Sequence, residues 1–205
     1  MIDRFKKMSG RAIVCFSALF LTAVFLIGCT FSLVYESALR KRGKLTQTVY
    51  TFSDFEAYGF KDGENGAVIT TDNDPQMILS GERYLTNIKF YMDYTVFPGE
   101  ITLYYTQKQG QGFSERKRVW AKPVRGEDGY YEFDLPAKKV LSVRIDPTMY
   151  AGNELSFGDF VFNGEKSAAD YYRVDYTHVY LLIVYTVILS ACIRFVQELF
   201  IKFTK

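Results

Sequence analysis

Histidine, cysteine and the common catalytic motifs are scarce in this sequence. His178 is its only histidine, and its three cysteines (Cys15, Cys29 and Cys192) all lie in apolar stretches near the two ends. The middle of the chain therefore has neither a disulfide nor a thiolate metal site. It also lacks a Walker loop, a Gly-x-Gly-x-x-Gly fingerprint and a Ser-His-Asp set. These absences argue against an enzyme, and we predict no catalytic residue, no metal site and no cofactor.

An excess of positive charge is also missing. The net charge is +2, and no basic stripe crosses the middle of the chain, where acidic residues slightly outnumber basic ones. Nucleic-acid binding needs a concentrated basic surface. We therefore expect no nucleic-acid partner.

Long apolar runs are present at both ends. Residues 12–35, AIVCFSALFLTAVFLIGCTFSLVY, carry no charged side chain, and a helix of this length spans a bilayer. Residues 176–200 form a second apolar stretch, in which Arg194 is able to extend its charge toward the interface. The sequence predicts two transmembrane helices over these ranges, with the bilayer as a partner.

The orientation is predicted from the flanking charges, which are nearly balanced on the two sides. A basic segment ahead of a long apolar run is typical of a signal-anchor, so residues 1–11 and 201–205 are predicted to be cytoplasmic tails. The protein is then a two-pass cell-membrane protein with an extracytoplasmic middle. In an alternative interpretation, LIGC at Leu26–Cys29 is a bacterial lipoprotein cleavage motif and Cys29 carries lipid. The apolar continuation TFSLVY favours the uncleaved helix.

The middle of the chain consists of short stretches in which apolar and polar residues alternate. In TNIKFYMDYTV, Ile88, Phe90, Met92, Tyr94 and Val96 share one face, as expected of a half-buried strand. The same alternation predicts further inward-facing residues: Ile101, Leu103, Tyr105, Val119, Ala121, Tyr131, Phe133, Leu135, Leu141, Val143 and Ile145. Weaker strands are predicted near residues 47–52 and 67–71.

The last strand changes phase. Leu155 and Phe157 follow one alternation, whereas Phe160 and Phe162 follow the opposite one, which predicts a β-bulge at Gly158–Asp159. Seven to nine strands with regularly spaced turns indicate an antiparallel β-sandwich. We place it at residues 47–165, between linkers at 36–46 and 166–175.

The segment LSVRIDPTMYAGNELSFGDFVFNG, preceded by GYYEFDLP, resembles the closing strands of galactose-binding-like jelly rolls. The resemblance covers about residues 78–164 and implies a carbohydrate-binding-module-like jelly roll. Such modules accompany membrane enzymes that build bacterial cell-surface polysaccharides, so it also implies a setting in glycan assembly. It assigns no sugar-contacting residue, because these families place such residues on variable loops.

Outward-facing aromatic residues are the strongest binding candidates. The alternation places Tyr91, Tyr104, Trp120 and Tyr130 opposite the core, where aromatic rings can stack on a sugar or contact a protein. Alternatively, loops cover these rings, and the rings bind no ligand or partner. Arg118 and Lys122 flank Trp120, and their charges would suit an anionic or phosphate-bearing glycan.

Three further features have weaker functional interpretations. Asp72 to Asp74, in DNDP, could donate oxygen ligands to Ca²⁺ or simply form a turn. Glu132 and Asp134 could form a glycosidase pair or a solvated face. His178 could relay a proton or anchor the second helix at the interface.

Together, these features predict mainly β structure: a jelly-roll sandwich inserted between an N-terminal and a C-terminal membrane helix. The predicted function is that of a non-catalytic accessory protein that binds a glycan or lipid-linked sugar, or docks on a polytopic membrane glycosyltransferase or transporter. The alternative is a structural or sensory subunit whose sandwich binds only protein.

Overall fold

The computed structural model describes residues 8–203, so the predicted tails at 1–11 and 201–205 lie partly outside the described residues. The described chain divides into two compact units. One contains residues 8–34 and 166–203, and the other contains residues 35–165.

Helix α1 runs over Gly10–Lys41. The Ser9 hydroxyl accepts a hydrogen bond from the Ala12 amide over 3.3 Å at its start, which satisfies one of the free amides there. Its end is fixed by Gly43, whose φ of +66° is the left-handed conformation that terminates helices. The range predicted as a linker, 36–46, is thus helical as far as Lys41.

Two more helices follow the β domain, α2 (Ala168–Tyr171) and α3 (Tyr176–Phe203). Asp175 caps α3, because its Oδ1 accepts the His178 amide over 3.0 Å and lies 2.6 Å from the ring Nδ1. Both α1 and the segment Ala168–Phe203 are long and apolar enough to cross a membrane, and an 18-residue window in each has a mean hydropathy of 2.5 and 2.2, respectively.

Within their own unit, α1 and α3 run antiparallel. The Thr30 hydroxyl is hydrogen-bonded to the Tyr172 hydroxyl over 2.8 Å, and the ring of Phe25 meets the His178 ring edge-on at 5.4 Å. At the other end, Gln197 Nε2 donates to the Met8 carbonyl over 3.1 Å. Residues in the second half of α1 thus contact residues at or just before the start of α3, and Met8, just before α1, contacts a residue near the end of α3, which is the pattern of an antiparallel pair.

The unit at residues 35–165 is built from ten strands, and every pair of hydrogen-bonded strands in it is antiparallel. The strands are β1 (Thr48–Tyr50), β2 (Glu56–Tyr58), β3 (Phe60–Asp62), β4 (Val68–Thr70), β5 (Gln76–Tyr94), β6 (Thr102–Thr106), β7 (Arg118–Trp120), β8 (Lys122–Pro123), β9 (Tyr130–Asp146) and β10 (Glu154–Phe162).

The two long strands β5 and β9 pair with each other along most of their length and belong to both layers of the sandwich. Two register shifts, between Ser80 and Arg83 and between Leu85 and Asn87, separate the layers. The first half-sheet contains β2, the start of β5, the end of β9, β6 and β7. The second contains the rest of β5 and β9 with β1, β3, β4, β8 and β10.

The inner faces of both half-sheets share one apolar core. The Phe90 ring stacks on Phe133 at 5.5 Å and on Phe160 at 5.1 Å, between ring centroids. Complete burial of such a side chain contributes about 1.5–3 kcal/mol. The predicted fold class, a jelly-roll-type antiparallel sandwich between two apolar helices, is confirmed.

The predicted bulge in the last strand is confirmed, because the register of β10 on β5 shifts between Phe157 and Phe160. Two core predictions were wrong. Val96, predicted to share the inward face with Met92, follows the end of β5 and is 54% exposed. Val140 is fully buried in the core, whereas Leu141 is half-buried and lies outside it. The register shift after Ser80 falls opposite this part of β9 and interrupts the simple alternation.

Candidate functional site

The predicted aromatic face is divided between the two half-sheets. Trp120 and Tyr104 lie on β7 and β6 of the first half-sheet, whereas Tyr91 and Tyr130 are paired across β5 and β9 in the second. The outward phase was predicted correctly for each strand. The rings still do not form one surface, because β5 and β9 pass from one layer to the other between the two pairs.

The first half-sheet carries a row of ring and charged side chains that we call the Trp120 face. Its pairing is fixed by β6, which lies between β7 and β9: Thr102 pairs with Trp120 and Asp146, and Tyr104 pairs with Arg118 and Arg144. Residues paired across neighbouring strands point to the same side of a sheet. The Trp120 face therefore comprises Trp120, Arg118, Tyr104, Arg144 and Asp146.

Trp120 presents the accessible ring of this face. It is 50% exposed, and its indole Nε1 donates to Glu100 Oε2 over 3.3 Å. The Arg118 guanidinium lies over the ring, 4.4 Å from its centroid. These two contacts fix the indole orientation and leave a large part of its surface open to a ligand.

Tyr104 is buried and cannot serve as an open platform. Its hydroxyl donates to Glu115 Oε1 over 3.0 Å, and the Arg144 guanidinium lies 5.2 Å from its ring centroid. A hydrogen bond between the Tyr104 hydroxyl and Arg118 raises the pKa of the Arg118 guanidinium. Tyr104 thus supports Arg118, which in turn lies over Trp120.

The cations of the Trp120 face are paired with carboxylates. Arg118 Nη1 lies 2.9 Å from Glu115 Oε2, and Arg144 Nη2 lies 2.6 Å from Asp146 Oδ2 and 2.7 Å from Asp74 Oδ1. Burial raises the pKa of Asp146 despite the neighbouring guanidinium. The face therefore offers donors and acceptors of both signs, which suits a neutral polyhydroxyl ligand better than the anionic glycan expected from Arg118 and Lys122.

Lys122 does not lie on the Trp120 face. Strand β8 pairs with β9 so that Lys122 stands opposite Glu132, in the second half-sheet, only two residues after Trp120. The chain changes partner strand at Ala121, whose amide donates to the Ile101 carbonyl over 2.9 Å. Proximity in sequence was therefore misleading at this position.

The other two aromatic candidates form a second, flatter cluster. The Tyr91 and Tyr130 rings meet edge-on at 5.4 Å, and Lys89 Nζ lies 5.1 Å from the Tyr130 ring centroid and 2.6 Å from Glu127. Tyr91 packs closely over Gly129, where an added Cβ would lie 2.5 Å from its ring. Tyr91 therefore serves to cover the backbone.

The weaker candidates have structural contacts of their own. Asp72 Oδ1 accepts the Asp74 amide over 2.9 Å, which is an Asx turn, and Asn73 Oδ1 accepts the Ala151 amide. Glu132 Oε1 accepts from Asn87 Nδ2 over 3.0 Å. Within residues 8–203, no group of three or more His, Cys, Asp or Glu side chains is arranged to hold a metal ion.

Arg144 and Asp146 were not among the sequence candidates, although a usable signal was present. Val143 and Ile145 were predicted to face the core, which places Arg144 and Asp146 on the outer face with Trp120. What the alternation could not show was which strands are neighbours.

No protein family and no curated protein matches the sequence. Among solved structures, a family 29 carbohydrate-binding module is similar over 64% of this chain and 99% of its own, with 14% identity and a TM-score of 0.41. A low-affinity xylan-binding module from Roseburia intestinalis is similar over 60% and 98%, with 14% identity and a TM-score of 0.39. A chitosan-binding module from Paenibacillus sp. IK-5 covers 58% of this chain and 94% of its own, with 13% identity and a TM-score of 0.36. All three of these structures are modules that bind carbohydrate, xylan or chitosan.

Proposed function

We propose that this chain is a two-pass membrane protein whose β-sandwich binds a glycan on the Trp120 face. The observation that carries the proposal is the half-exposed indole of Trp120, held by Glu100 and Arg118 on a sheet surface lined with paired charges. The apolar C–H face of a sugar ring stacks well on an indole, and the sugar hydroxyls pair with nearby charged groups. The proposed role is binding without catalysis.

The two helices support the membrane part of the proposal. Because α1 and α3 run antiparallel, two spanning helices would bring both ends of the chain to one side of the bilayer and the β domain to the other. We propose that the termini are cytoplasmic and that the domain is extracytoplasmic. In that position it would meet glycans of the cell envelope.

We further propose that the protein acts beside a polytopic glycosyltransferase or transporter in cell-surface polysaccharide assembly. Large apolar side chains of α1, among them Leu19, Ile27 and Phe31, are exposed within the helical unit. These side chains suit lipid or the helices of a membrane partner. Purification from the native membrane in a gentle detergent, followed by mass spectrometry, tests the partner; recovery of the protein without a stoichiometric partner contradicts it.

Glycan binding is tested with the full-length protein in detergent on an array of neutral and acidic cell-wall glycans. We expect Trp120→Ala to reduce binding about 10-fold, because an aromatic stacking contact contributes about 0.5–1.5 kcal/mol beyond the apolar area that it buries. Tyr130→Ala is the matched control, since Tyr130 is also exposed but lies in the second half-sheet, away from the Trp120 face. Equal binding by both variants and the wild type would contradict the proposal.

A second candidate function is protein binding by the β domain, favoured by an exposed apolar cluster on two adjacent loops. Val96 and Phe97 follow β5, and Met149 and Tyr150 follow β9; all are largely exposed. The loops are joined by a hydrogen bond from the Met149 amide to the Pro98 carbonyl over 3.0 Å. An ordered apolar cluster of this kind is typical of a protein-contact site. Loss of a co-purifying partner in Phe97→Ser, with glycan binding unchanged, would favour this function.

A further inference from the structure

A pocket of about 170 Å³ lies in the β domain, away from the Trp120 face. It is formed by the segment that follows α1, the middle of β5 and the end of β10. Lys44, Thr46, Thr48, Arg83 and Tyr84 are among its lining residues. None of them belongs to the Trp120 face, so the inference does not depend on the proposed function.

Arg83 is held in a fixed position at this pocket. Its Nε donates to the Gly81 carbonyl over 3.1 Å, and its Nη2 donates to the Ser80 carbonyl over 2.7 Å. The guanidinium also lies over the rings of Tyr50 and Phe162, at 5.3 and 5.8 Å from their centroids. These contacts remove most of the rotational freedom that an arginine would otherwise lose on binding a ligand.

Gly81 makes this arrangement possible. It lies in the register shift after Ser80 with a φ of +119°, and a Cβ there would be 3.0 Å from Arg83 Nη2. Glycine is thus required both by the backbone conformation and by the close approach of the guanidinium.

The remaining nitrogen of the guanidinium, Nη1, is buried and has no hydrogen-bond partner within the part of the chain that the structure describes. A buried unpaired donor costs about 1–3 kcal/mol, and more when it is charged.

The charges around the pocket favour an anion. Lys44 is exposed, with its Nζ 5.9 Å from the Tyr84 ring centroid. Glu82 also lines the pocket, but its Oε1 lies 2.6 Å from Lys139 Nζ. Lys139 is not a lining residue, and its positive charge offsets the negative charge of Glu82. Lys44 and Arg83 therefore leave the site with a positive balance.

We propose that this pocket binds a phosphate group through Arg83 and Lys44. The lining offers an arginine, a lysine and the hydroxyl-bearing residues Thr46, Thr48 and Tyr84, and a phosphate has enough oxygen acceptors to engage several such donors at once. The group can belong to a lipid headgroup or to a soluble phosphate. Chain connectivity favours a lipid source, since Lys44 is three residues beyond the end of α1.

The test uses the full-length protein in micelles of a maltoside detergent, which carries no phosphate group, with unfolding of the β domain followed by the fluorescence of Trp120, the single tryptophan. One arm adds inorganic phosphate against chloride at equal ionic strength. The other arm adds phosphatidic acid as a fifth of the amphiphile in the micelles. The variants are Lys44→Gln and Arg83→Gln, with Lys108→Gln as a control that removes the same charge from an exposed turn.

We expect one or both arms to raise the unfolding temperature of the wild type and of Lys108→Gln by about 3 °C or more. The shift should fall to less than a third of that value in Lys44→Gln and Arg83→Gln. A shift with inorganic phosphate identifies a soluble source as sufficient, and a shift with phosphatidic acid alone identifies the lipid. If Arg83→Gln does not fold, Lys44→Gln decides. No shift in the wild type in either arm, or equal shifts in Lys44→Gln and Lys108→Gln, would overturn the proposal.

Discussion

The side-chain amide of Asn163 donates a hydrogen bond to the Tyr84 carbonyl over 2.8 Å. The same side chain donates to the Thr46 carbonyl over 3.1 Å and accepts from the Thr86 amide over 3.0 Å. Asn163 is buried and has a φ of +55°, a conformation that asparagine tolerates better than most residues. One residue after β10 therefore ties together the segment following α1 and the middle of β5.

Asn163→Ala should lower the free energy of unfolding by about 3 kcal/mol, because it leaves several buried backbone groups without partners. Urea unfolding of the full-length protein, followed by Trp120 fluorescence, measures the change. Asn65→Ala is the matched control: Asn65 has a φ of +52° but is exposed in a turn. We expect it to cost about 1 kcal/mol or less, and equal losses in the two variants would show that the backbone conformation alone matters.

Gly129→Ala should destabilise the β domain more than Gly126→Ala. Both glycines have positive φ, +74° and +81°, so the backbone cost of alanine is similar, about 1–2 kcal/mol. Only Gly129 faces Tyr91 at 2.5 Å, whereas an added Cβ at Gly126 meets nothing within 4 Å. Thermal unfolding of the two variants should differ by several degrees; a rescue of Gly129→Ala by Tyr91→Ala would identify the contact as the cause.

The stability difference between Asp146→Asn and the wild type should depend on pH. Burial raises the pKa of Asp146, so the folded state binds this proton more tightly than the unfolded state does. This contribution to the free energy of unfolding is fully present below the pKa of the unfolded state, about 3.9. It is lost as the pH rises through the pKa of Asp146 in the folded state. Urea unfolding between about pH 3 and pH 7 should therefore show that the free energy of unfolding of Asp146→Asn increases relative to that of the wild type as the pH rises. A gain in the opposite direction would contradict the sign of the shift.

The antiparallel pairing of α1 and α3 predicts a specific cross-link. In a background with Cys15, Cys29 and Cys192 replaced by serine, Met8→Cys combined with Gln197→Cys should react with a short bifunctional maleimide, because the Gln197 side chain donates to the Met8 backbone carbonyl and the two residues are therefore close. Met8→Cys combined with Leu181→Cys should not, since Leu181 lies near the opposite end of α3. Gel mobility after cleavage of the chain between the helices measures the outcome.

Most of the fold followed from local patterns. Strand phase was predicted where apolar and polar residues alternate, as at Ile88, Phe90 and Met92, because each side chain of a strand faces one layer. The bulge at Gly158–Asp159 was predictable because the phase change is visible between Phe157 and Phe160. The lengths of β5 and β9 were not predictable, since the register shifts after Ser80 and after Leu85 interrupt the alternation on both strands and divide each strand into two apparent ones.

The site was predicted less completely, because it depends on which strands are neighbours. Trp120 was identified correctly as an outward ring beside Arg118. Tyr104 is contacted by Arg144, from the distant strand β9, and by Glu115, from the connection between β6 and β7. Lys122 lies away from the Trp120 face because the chain changes partner strand. Long-range register of this kind leaves no periodic signal in a single sequence.

The chain enters the β domain through β1 and leaves it through β10, and these two strands are paired at the ends that connect onward, Thr48 with Phe162. Tension applied through the two flanking segments would therefore load the β1–β10 ladder from its open end. Its hydrogen bonds would break one after another, as in unzipping, at a lower force than shearing would need. The broad pairing of β5 with β9 would carry none of this load until β1 had detached, so the Trp120 face would survive a mechanical pull that separates the connections of the domain.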